Sequence, residues 1–254
     1  MPRAVVRTEA IGPFTLFVNE GHGWRYYARP TPGTTVFTAA DVEAVRARQR
    51  ALSQPEEIEW VLERAPGVGH AVESGGMRWR AHPLMHLPRE AFTSADAPAD
   101  VELTLMPPHG DLAVTSAVAS VAFAAGGTSV GIRDDAAVDA AVDAADPETM
   151  ASYRERLAEG FTVMAVAHLG SDAVAVGSYQ PSEGIAEITG IATLPAFRRR
   201  GIGGALTTFL ARDAFSRGVG TVFLSADDDE VARVYGRLGF VRIGSAGAAE
   251  PSGR

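Results

Sequence analysis

The sequence predicts a mixed α/β protein with two domains, and three observations support this prediction. Segments with strand character alternate with amphipathic helical segments. A stretch rich in Ala, Pro, Ser and Asp, with no apolar period, lies at residues 89–100. The 254 residues are 46% apolar and 21% charged, enough for one large core or two small ones. We therefore predict a smaller α/β domain over residues 1–99 and a domain with a mixed sheet over residues 100–254.

The N-terminal segment is predicted to alternate strands with two helices. The first helix begins at Thr38, whose hydroxyl can cap the following amides, and runs to about Leu52. The second helix is short, spanning 67–74, and Gly75 and Gly76 end it. The predicted strands span 15–18, 24–29, 57–62 and 77–87, and Trp60 and Trp79 on the last two are expected core residues.

The C-terminal segment shows a clearer order of elements. Its predicted strands span 101–106, 162–168, 173–179, 185–194 and 221–225, with a last strand from residue 240. Its predicted helices span 111–124, 134–146, a segment from Pro147, 202–217 and 229–238. Gly218 and Gly239 follow the last two helices, as expected where a helix ends in a left-handed residue.

Composition excludes several classes of chemistry. The chain has no Cys, which removes disulfides, thiolate metal sites and cysteine nucleophiles. All 23 basic residues are Arg, so Schiff-base chemistry and a P-loop lysine are excluded as well. No apolar run reaches the length of a membrane span, and no secretory signal is visible at the start. We therefore expect a cytoplasmic location and no membrane partner.

The formal charge of −8 lies entirely in the second segment. Residues 1–99 hold 11 Arg and 11 acidic residues, whereas residues 100–254 hold 12 Arg and 20 acidic residues. A negative potential repels nucleic acid and attracts cations. We therefore expect a cationic small molecule or a basic peptide as the partner, and no nucleic acid.

A glycine-rich turn joins a predicted strand to an amphipathic helix. The first amides of a helix lack internal acceptors, and the helix dipole adds partial positive charge there. The glycines would let a phosphate approach these amides, and the three arginines would add mobile positive charge. An empty tight reversal is the alternative, while a dinucleotide fingerprint is disfavoured because Leu206 is not small. The turn consists of Arg198, Arg199, Arg200, Gly201, Ile202, Gly203 and Gly204.

Two sequence blocks carry a resemblance to a known family. Arg198, Gly201 and Gly203 match a signature of Arg or Gln, two residues, Gly, one residue, and Gly or Ala. The second block runs from Tyr235 to Phe240 and is similar to a Tyr-x-x-x-Gly-Phe segment at the end of a last long helix. Together the blocks resemble the GNAT family of GCN5-related N-acetyltransferases. The resemblance implies a GNAT-like acyl-CoA N-acyltransferase fold from about residue 100 onwards.

The resemblance also implies an activity and a cofactor site. It implies transfer of the acetyl group of acetyl-CoA to a primary amine, by direct attack in a ternary complex and without a metal. The pantetheine arm would lie beside Ile191, Ala192 and Thr193, with the pyrophosphate on the amides of residues 199–204. Many members have an Asn where this chain has Asp228, which is expected either to contact the cofactor or to cap the following helix.

Two residues are candidates for proton transfer. By analogy with the family, Tyr235 protonates the departing thiolate, and its ordinary pKa of about 10 suits an acid; the alternative is a half-buried aromatic residue with its hydroxyl in water. Glu187 is the candidate base, because it lies on the strand that ends at the turn, where desolvation would raise its pKa. The alternative places Glu187 on a wet strand face.

Several alternatives stay open at this level. The protein could be an acyl-CoA-binding regulatory module without catalysis, or a structural domain with a vacant turn. The N-terminal segment is interpreted either as a degenerate GNAT half in a tandem arrangement or as an unrelated α/β cap, in a monomer or homodimer. An acidic stripe on one helix is either a solvated face or an attractor for a cationic amine. The stripe consists of Asp135, Asp139 and Asp143, and the histidines His70, His82 and His86 show no metal-site spacing.

Overall fold

The computed structural model describes residues 7–18 and 26–253. Its strands are β1 (Arg7–Ile11), β2 (Phe14–Val18), β3 (Arg29–Pro30), β4 (Ile58–Val61), β5 (Met77–Leu87), β6 (Val101–Leu105), β7 (Val163–Leu169), β8 (Asp172–Ser182), β9 (Ile185–Thr193), β10 (Thr221–Ser225) and β11 (Val241–Pro251). Its helices are α1 (Ala39–Ala51), α2 (Val68–Ser74), α3 (Leu112–Ala124), α4 (Asp135–Asp143), α5 (Pro147–Ala158), α6 (Ile202–Ser216) and α7 (Asp229–Gly236). The predicted mixed α/β class is confirmed.

Local hydrogen bonds explain why the helices begin where the sequence predicts. Thr38 and Asp41 form a reciprocal capping box at the start of α1, with 3.2 Å from the Asp41 amide to the Thr38 hydroxyl. Three aspartates accept from a backbone amide at 2.8 to 3.1 Å and cap the helices that follow them. These aspartates are Asp111 before α3, Asp134 before α4 and Asp146 before α5.

Two predicted boundaries need comment. Helix α7 ends at Gly236, two residues before the predicted end, because the amides of Leu238 and Phe240 turn back onto the Tyr235 carbonyl at 2.9 and 3.2 Å. Gly239 adopts φ +96° in this turn, a conformation that favours glycine. The strand predicted at 24–29 falls partly outside the described residues, since the described chain resumes at Tyr26 and β3 begins at Arg29.

The chain divides into two compact units. Unit 1 contains the chain up to Met85 together with Ser225–Asp229 and Arg242–Arg254. Unit 2 contains His86–Leu224 and Glu230–Val241. This division by compactness differs from the predicted domains, residues 1–99 and 100–254, which stay a prediction.

Unit 1 contains two groups of strands. Strands β1, β2 and β3 pair antiparallel in that order, and strands β4, β11 and β5 are neighbours in the order β4-β11-β5. Gly247 on β11 stands opposite Trp60 on β4, where a side chain on residue 247 would meet the indole at 2.5 Å. Trp60 belongs to the buried core, as predicted, whereas Trp79 is half-buried and packs against that core with its ring 5.2 Å from Trp60.

Unit 2 contains a five-strand run in the order β10-β9-β8-β7-β6. Neighbours from β6 to β9 are antiparallel, whereas β9 and β10 are parallel, so this sheet is mixed as predicted. Helix α3 covers one face, where Val118 and Ala122 pack with Val166, Val176 and Ala192. Helix α6 covers the other face, where a side chain on Gly177 would meet Leu206 and Leu210. No helix among the described residues is long and apolar enough to cross a membrane.

Gln49 provides a stability test of unit 1. Its side chain is 1% exposed, its Nε2 donates to the Glu57 carbonyl at 2.8 Å, and its Oε1 has no partner among the described residues. The Glu57 carbonyl also accepts from the Ala28 amide, so it keeps a partner if Gln49 is replaced. An unpaired buried acceptor costs about 1–3 kcal/mol. We therefore expect Gln49→Met to leave the thermal unfolding temperature unchanged or to raise it.

The matched variant for this test is Gln49→Glu. It places a carboxyl group in the same buried position and removes the donor to Glu57, so we expect it to lower the unfolding temperature. A clear loss of stability in Gln49→Met would show that the Gln49 amide contributes more than its unpaired oxygen costs.

Candidate active site

A β-bulge interrupts the pairing of β8 with β9. Val176 faces Ala192 and Ser178 faces Thr189, so the single residue Gly177 faces two residues of β9, Gly190 and Ile191. Gly190 adopts φ +66°, which favours glycine. A side chain on Gly177 would collide with the Ile191 side chain, which therefore uses the space that this glycine leaves. The bulge turns the last part of β9 away from its earlier course.

Strand β9 also parts from β10 close to the bulge. Their parallel pairing covers three residue pairs and ends where Phe223 faces Glu187. Strand β9 continues to Thr193, paired on its other side with β8. Among the described residues, no strand pairs with the β10 side of β9 beyond Glu187. Backbone groups along this edge are therefore free to bind the amides of an extended ligand.

The open edge leads to the start of α6. Gly201 precedes this helix with φ +84° and no side-chain cap, and Arg199 also has a positive φ of +64°. The first amide that donates into the helix is that of Ala205, to the Gly201 carbonyl at 3.0 Å. The amides of residues 199–204 have no acceptor within the described part of the chain. Unpaired amides at the start of a helix suit an anion, and binding of a phosphate by residues 199–204 stays a prediction.

Gly203 brings this turn close to the end of β9. A Cβ on Gly203 would lie 3.5 Å from Thr193 Oγ1 and 3.8 Å from Ile191 Cγ2. The turn and the last residues of β9 are therefore adjacent. A ligand with an extended arm and a phosphate can contact both at once.

The three arginines of the turn have three different environments. Arg198 donates four hydrogen bonds to backbone carbonyls, and Arg200 forms a two-pronged pair with Asp100 at 2.8 and 2.6 Å. The Arg200 guanidinium holds the pKa of Asp100 below its usual value. Arg199 is 66% exposed and lies 3.8 Å from Glu230. The expectation of mobile positive charge is therefore wrong for Arg198 and Arg200, since both are bound to other groups, and it fits Arg199.

Tyr235 lies near the end of α7 and is half-buried. Its ring packs at a tilt on Phe240, with the ring centres 5.7 Å apart, so the Gly-Phe pair after the helix supports its position. Burial raises the pKa of the Tyr235 hydroxyl to about 12. The hydroxyl therefore keeps its proton throughout the neutral range and can donate it.

Glu187 belongs to a half-buried polar face that the sequence reading missed. It stands opposite Gln180, and Thr189 stands opposite Ser178. Directly opposed residues share a face of the sheet, and α3 covers this face further along at Val176 and Ala192. Ser178 Oγ lies 3.1 Å from Thr189 Oγ1. The sequence does contain a signal for this face, because polar residues occupy every second position at 178 and 180 on β8 and at 187 and 189 on β9.

The remaining predicted donor-site residues lie as follows. Ala192 is buried under α3, whereas the Ile191 side chain points toward α6. The Thr193 carbonyl accepts from Arg198 Nε at 3.1 Å. Asp228 is exposed and immediately precedes α7. Its contact with the cofactor stays a prediction, as does the alternative of a helix cap.

The acidic stripe lies on the surface of α4. Asp135, Asp139 and Asp143 are all exposed, and Asp135 accepts from Arg133 Nε at 2.8 Å. Exposure suits a solvated face and leaves the charges available to attract a cation. Within the described ranges, no group of three His, Asp or Glu side chains could hold a metal ion.

Comparison with known proteins assigns this arrangement to a family. Residues 133–240 match the sequence profile of the acetyltransferase (GNAT) family. This segment is a GNAT domain. It contains the bulged strand, the open edge, the turn and Tyr235. No curated protein sequence matches the chain.

Solved structures share the fold over nearly the whole chain. A GCN5-related N-acetyltransferase from Kribbella flavida is 22% identical, with a TM-score of 0.69 over 99% of this chain and 91% of the other. A GCN5-related N-acetyltransferase-like protein from Streptococcus suis is 13% identical, with a TM-score of 0.56 over 93% and 82%. A tandem GNAT protein from the clavulanic acid biosynthesis pathway is 14% identical, with a TM-score of 0.56 over 95% and 79%. At these identities the likeness concerns the fold.

Two glycines of the GNAT turn test its geometry. At Gly201, φ is +84°, so we expect Gly201→Ala to destabilise the protein by about 1–2 kcal/mol. At Gly203 a Cβ has ordinary contacts at 3.5 Å, so Gly203→Ala is expected to leave stability unchanged or to raise it slightly. Thermal unfolding of both variants checks this difference. Equal unfolding temperatures would argue against the left-handed turn.

Proposed function

We propose that the protein is an N-acetyltransferase that moves the acetyl group of acetyl-CoA to a primary amine. The observation that carries this proposal is the open edge of β9 beyond Glu187, which leads to unpaired amides at the start of α6. An extended arm with two amide bonds and a terminal pyrophosphate fits such an edge and turn. We propose that the pantetheine arm lies beside Ile191, Ala192 and Thr193, with the pyrophosphate on residues 199–204.

Arg199 is the side chain of the turn best suited to a phosphate. It is mostly exposed, and its only described ion pair is a 3.8 Å contact with Glu230. The guanidinium groups of Arg198 and Arg200 already have partners in the protein, so these side chains are not expected to bind the phosphate. The affinity for the pyrophosphate therefore rests mainly on backbone amides and on Arg199.

The proposed reaction is a direct transfer. Glu187 removes a proton from the acceptor ammonium, and the freed lone pair forms a C–N bond to the thioester carbonyl carbon. The C–S bond then breaks, and the Tyr235 hydroxyl gives its proton to the leaving sulfur. The acylated nitrogen releases its remaining extra proton to solvent, and solvent returns a proton to the Tyr235 oxygen. Because the chain has no Cys, an acyl-enzyme on a thiol is excluded. Because the pKa of Tyr235 is high, its hydroxyl is protonated at neutral pH.

The acceptor is proposed to be a small cationic molecule or a peptide amine. The excess of acidic residues in the second segment and the exposed stripe on α4 favour a cation over an anion. The half-buried polar face of Ser178, Gln180, Glu187 and Thr189 can accept hydrogen bonds from its amino group. A cytoplasmic location, and the absence of nucleic-acid and membrane partners, stay expectations from composition.

The N-terminal segment, residues 1–99, is proposed to be a degenerate GNAT half. This proposal is supported by the fold shared with the tandem GNAT protein over 95% of the chain. Arg64, Gly67 and Gly69 repeat the Arg-x-x-Gly-x-Gly spacing before α2, but Gly67 has φ −75°, so this turn differs from the one at Gly201, where φ is +84°. In this proposal, acetyl-CoA binds to residues 100–254, which contain the left-handed turn and the segment that matches the family profile.

Calorimetric titration with acetyl-CoA tests the donor site. We expect the wild type to bind and Gly203→Glu to abolish binding, because a carboxylate would occupy the phosphate position. Ser216→Glu, which adds the same charge at the far end of α6, should bind as the wild type does. No binding by the wild type would overturn the proposal. Binding without thiol release across an amine panel would favour an acyl-CoA-binding regulatory module instead.

Tyr235→Phe tests the proposed acid. General acid catalysis contributes about 100-fold or more, so we expect kcat to fall by about that factor while acetyl-CoA affinity is kept. Tyr153→Phe on α5 is the control and should keep full activity. Thiol release measures kcat for both variants.

The high pKa of Tyr235 adds a pH prediction. Since a group with a pKa of about 12 stays protonated to pH 10, titration of Tyr235 should not lower wild-type kcat below that pH. Absorbance at 295 nm should show the same proton loss between pH 9 and pH 11 in wild type and Tyr235→Phe. A smaller absorbance change in the variant would show that Tyr235 ionises normally.

A further inference from the structure

Arg198 uses its guanidinium to join segments that are far apart in the chain. Its Nη2 donates to the Ala122 carbonyl at 2.7 Å, and its Nη1 donates to Gly126 at 2.7 Å and Ser129 at 3.3 Å. Its Nε donates to Thr193 at the end of β9 at 3.1 Å. The three nitrogens of this planar guanidinium thus hold the last turn of α3, the following loop and β9 together through four hydrogen bonds.

The segment that Arg198 holds is the α3–α4 loop, residues 125–134. Two further hydrogen bonds fasten it, from the Gly131 amide to the Pro195 carbonyl at 3.0 Å and from Thr128 Oγ1 to Glu230 at 2.7 Å. The loop presents Val130 and Ile132 to solvent, 60% and 80% exposed. Apolar side chains held open to solvent on an ordered loop are available for contact with a ligand.

Arg198 also borders the turn with the unpaired amides. The next residue, Arg199, has a positive φ, and Gly201 follows with φ +84°. A ligand that fixes the backbone of residues 199–204 therefore also fixes the Cα of Arg198. The guanidinium then passes this restraint to the carbonyls of the α3–α4 loop. No other side chain among the described residues donates to both the loop and β9.

We propose that Arg198 is a positioning residue that couples the turn at residues 199–204 to the α3–α4 loop, so that an occupied turn tightens the loop. The coupling rests on the proposed function, because acetyl-CoA is the ligand expected in the turn. The hydrogen bonds from Arg198 that hold the α3–α4 loop are present without a ligand and do not depend on the proposed function. In this role Arg198 acts through the loop and donates no hydrogen bond to the phosphate.

Hydrogen exchange of the amides in residues 122–133 tests the fastening without any ligand. We expect Arg198→Gln to raise their exchange rate about tenfold or more, because a single amide donor cannot replace the four hydrogen bonds. Arg217→Gln should leave this exchange unchanged, since Arg217 donates to Asp213 on α6 and not to the loop. Arg198→Lys keeps the charge without the planar fork and should give an intermediate rate. Unchanged exchange in Arg198→Gln would overturn the proposal.

Exchange in the presence of acetyl-CoA tests the coupling. In the wild type, saturating acetyl-CoA should slow exchange in residues 122–133, and in Arg198→Gln this slowing should disappear although acetyl-CoA still binds. By calorimetry, Arg198→Gln should bind acetyl-CoA within about threefold of the wild type, whereas Arg199→Gln should bind more weakly. A merely structural Arg198 would leave the slowing by acetyl-CoA in place.

The outcomes separate this proposal from the proposed function. If the wild type binds no acetyl-CoA while Arg198→Gln still loosens the loop, the proposed function fails, the coupling fails with it, and the fastening stands. If Arg198→Gln loses acetyl-CoA affinity with unchanged loop exchange, Arg198 is a phosphate ligand and the positioning role is wrong. Thermal unfolding of each variant shows whether it is still folded. If Arg198→Gln is unfolded, the same exchange measurements are made on Arg198→Lys instead.

Discussion

The parting of β9 from β10 after Glu187 is the constraint on which the rest of the candidate site depends. A strand inside a sheet that loses one neighbour keeps a row of backbone donors and acceptors that need partners. The bulge at Gly190 lets β9 remain paired with β8 while it leaves β10. The edge that results ends beside Gly203 and the start of α6, so the row of backbone groups and the proposed anion site are adjacent.

The three arginines show how one charged run can serve three purposes. Arg198 is bound to four carbonyls, Arg200 is bound to Asp100, and only Arg199 extends into solvent. In the proposed site, the turn would attract an anion mainly through oriented amides, which lose no side-chain entropy on binding. Such a site is shaped before its ligand arrives.

Most of the fold follows from local chemistry that a sequence shows directly. Thr38 and Asp111 cap helices because their side chains reach amides three residues away, and the glycine-rich turn is likewise a local feature. The bonds from Arg198 to Gly126 and Ser129 span about seventy residues, and no local pattern indicates them. The open edge depends on the register between β9 and β10, and strand prediction gives no register. For that reason the sequence located the turn and Tyr235 but missed the polar face and the role of the Arg198 side chain.

The order in which the chain builds unit 1 has a consequence for synthesis. Strands β4 and β5 are translated long before β11, which lies between them in the strand order. All of His86–Leu224 is translated in the interval. Until β11 arrives, β4 and β5 have exposed edges that can pair with other chains. A ribosome stalled before β11 is translated therefore carries a nascent chain prone to aggregation.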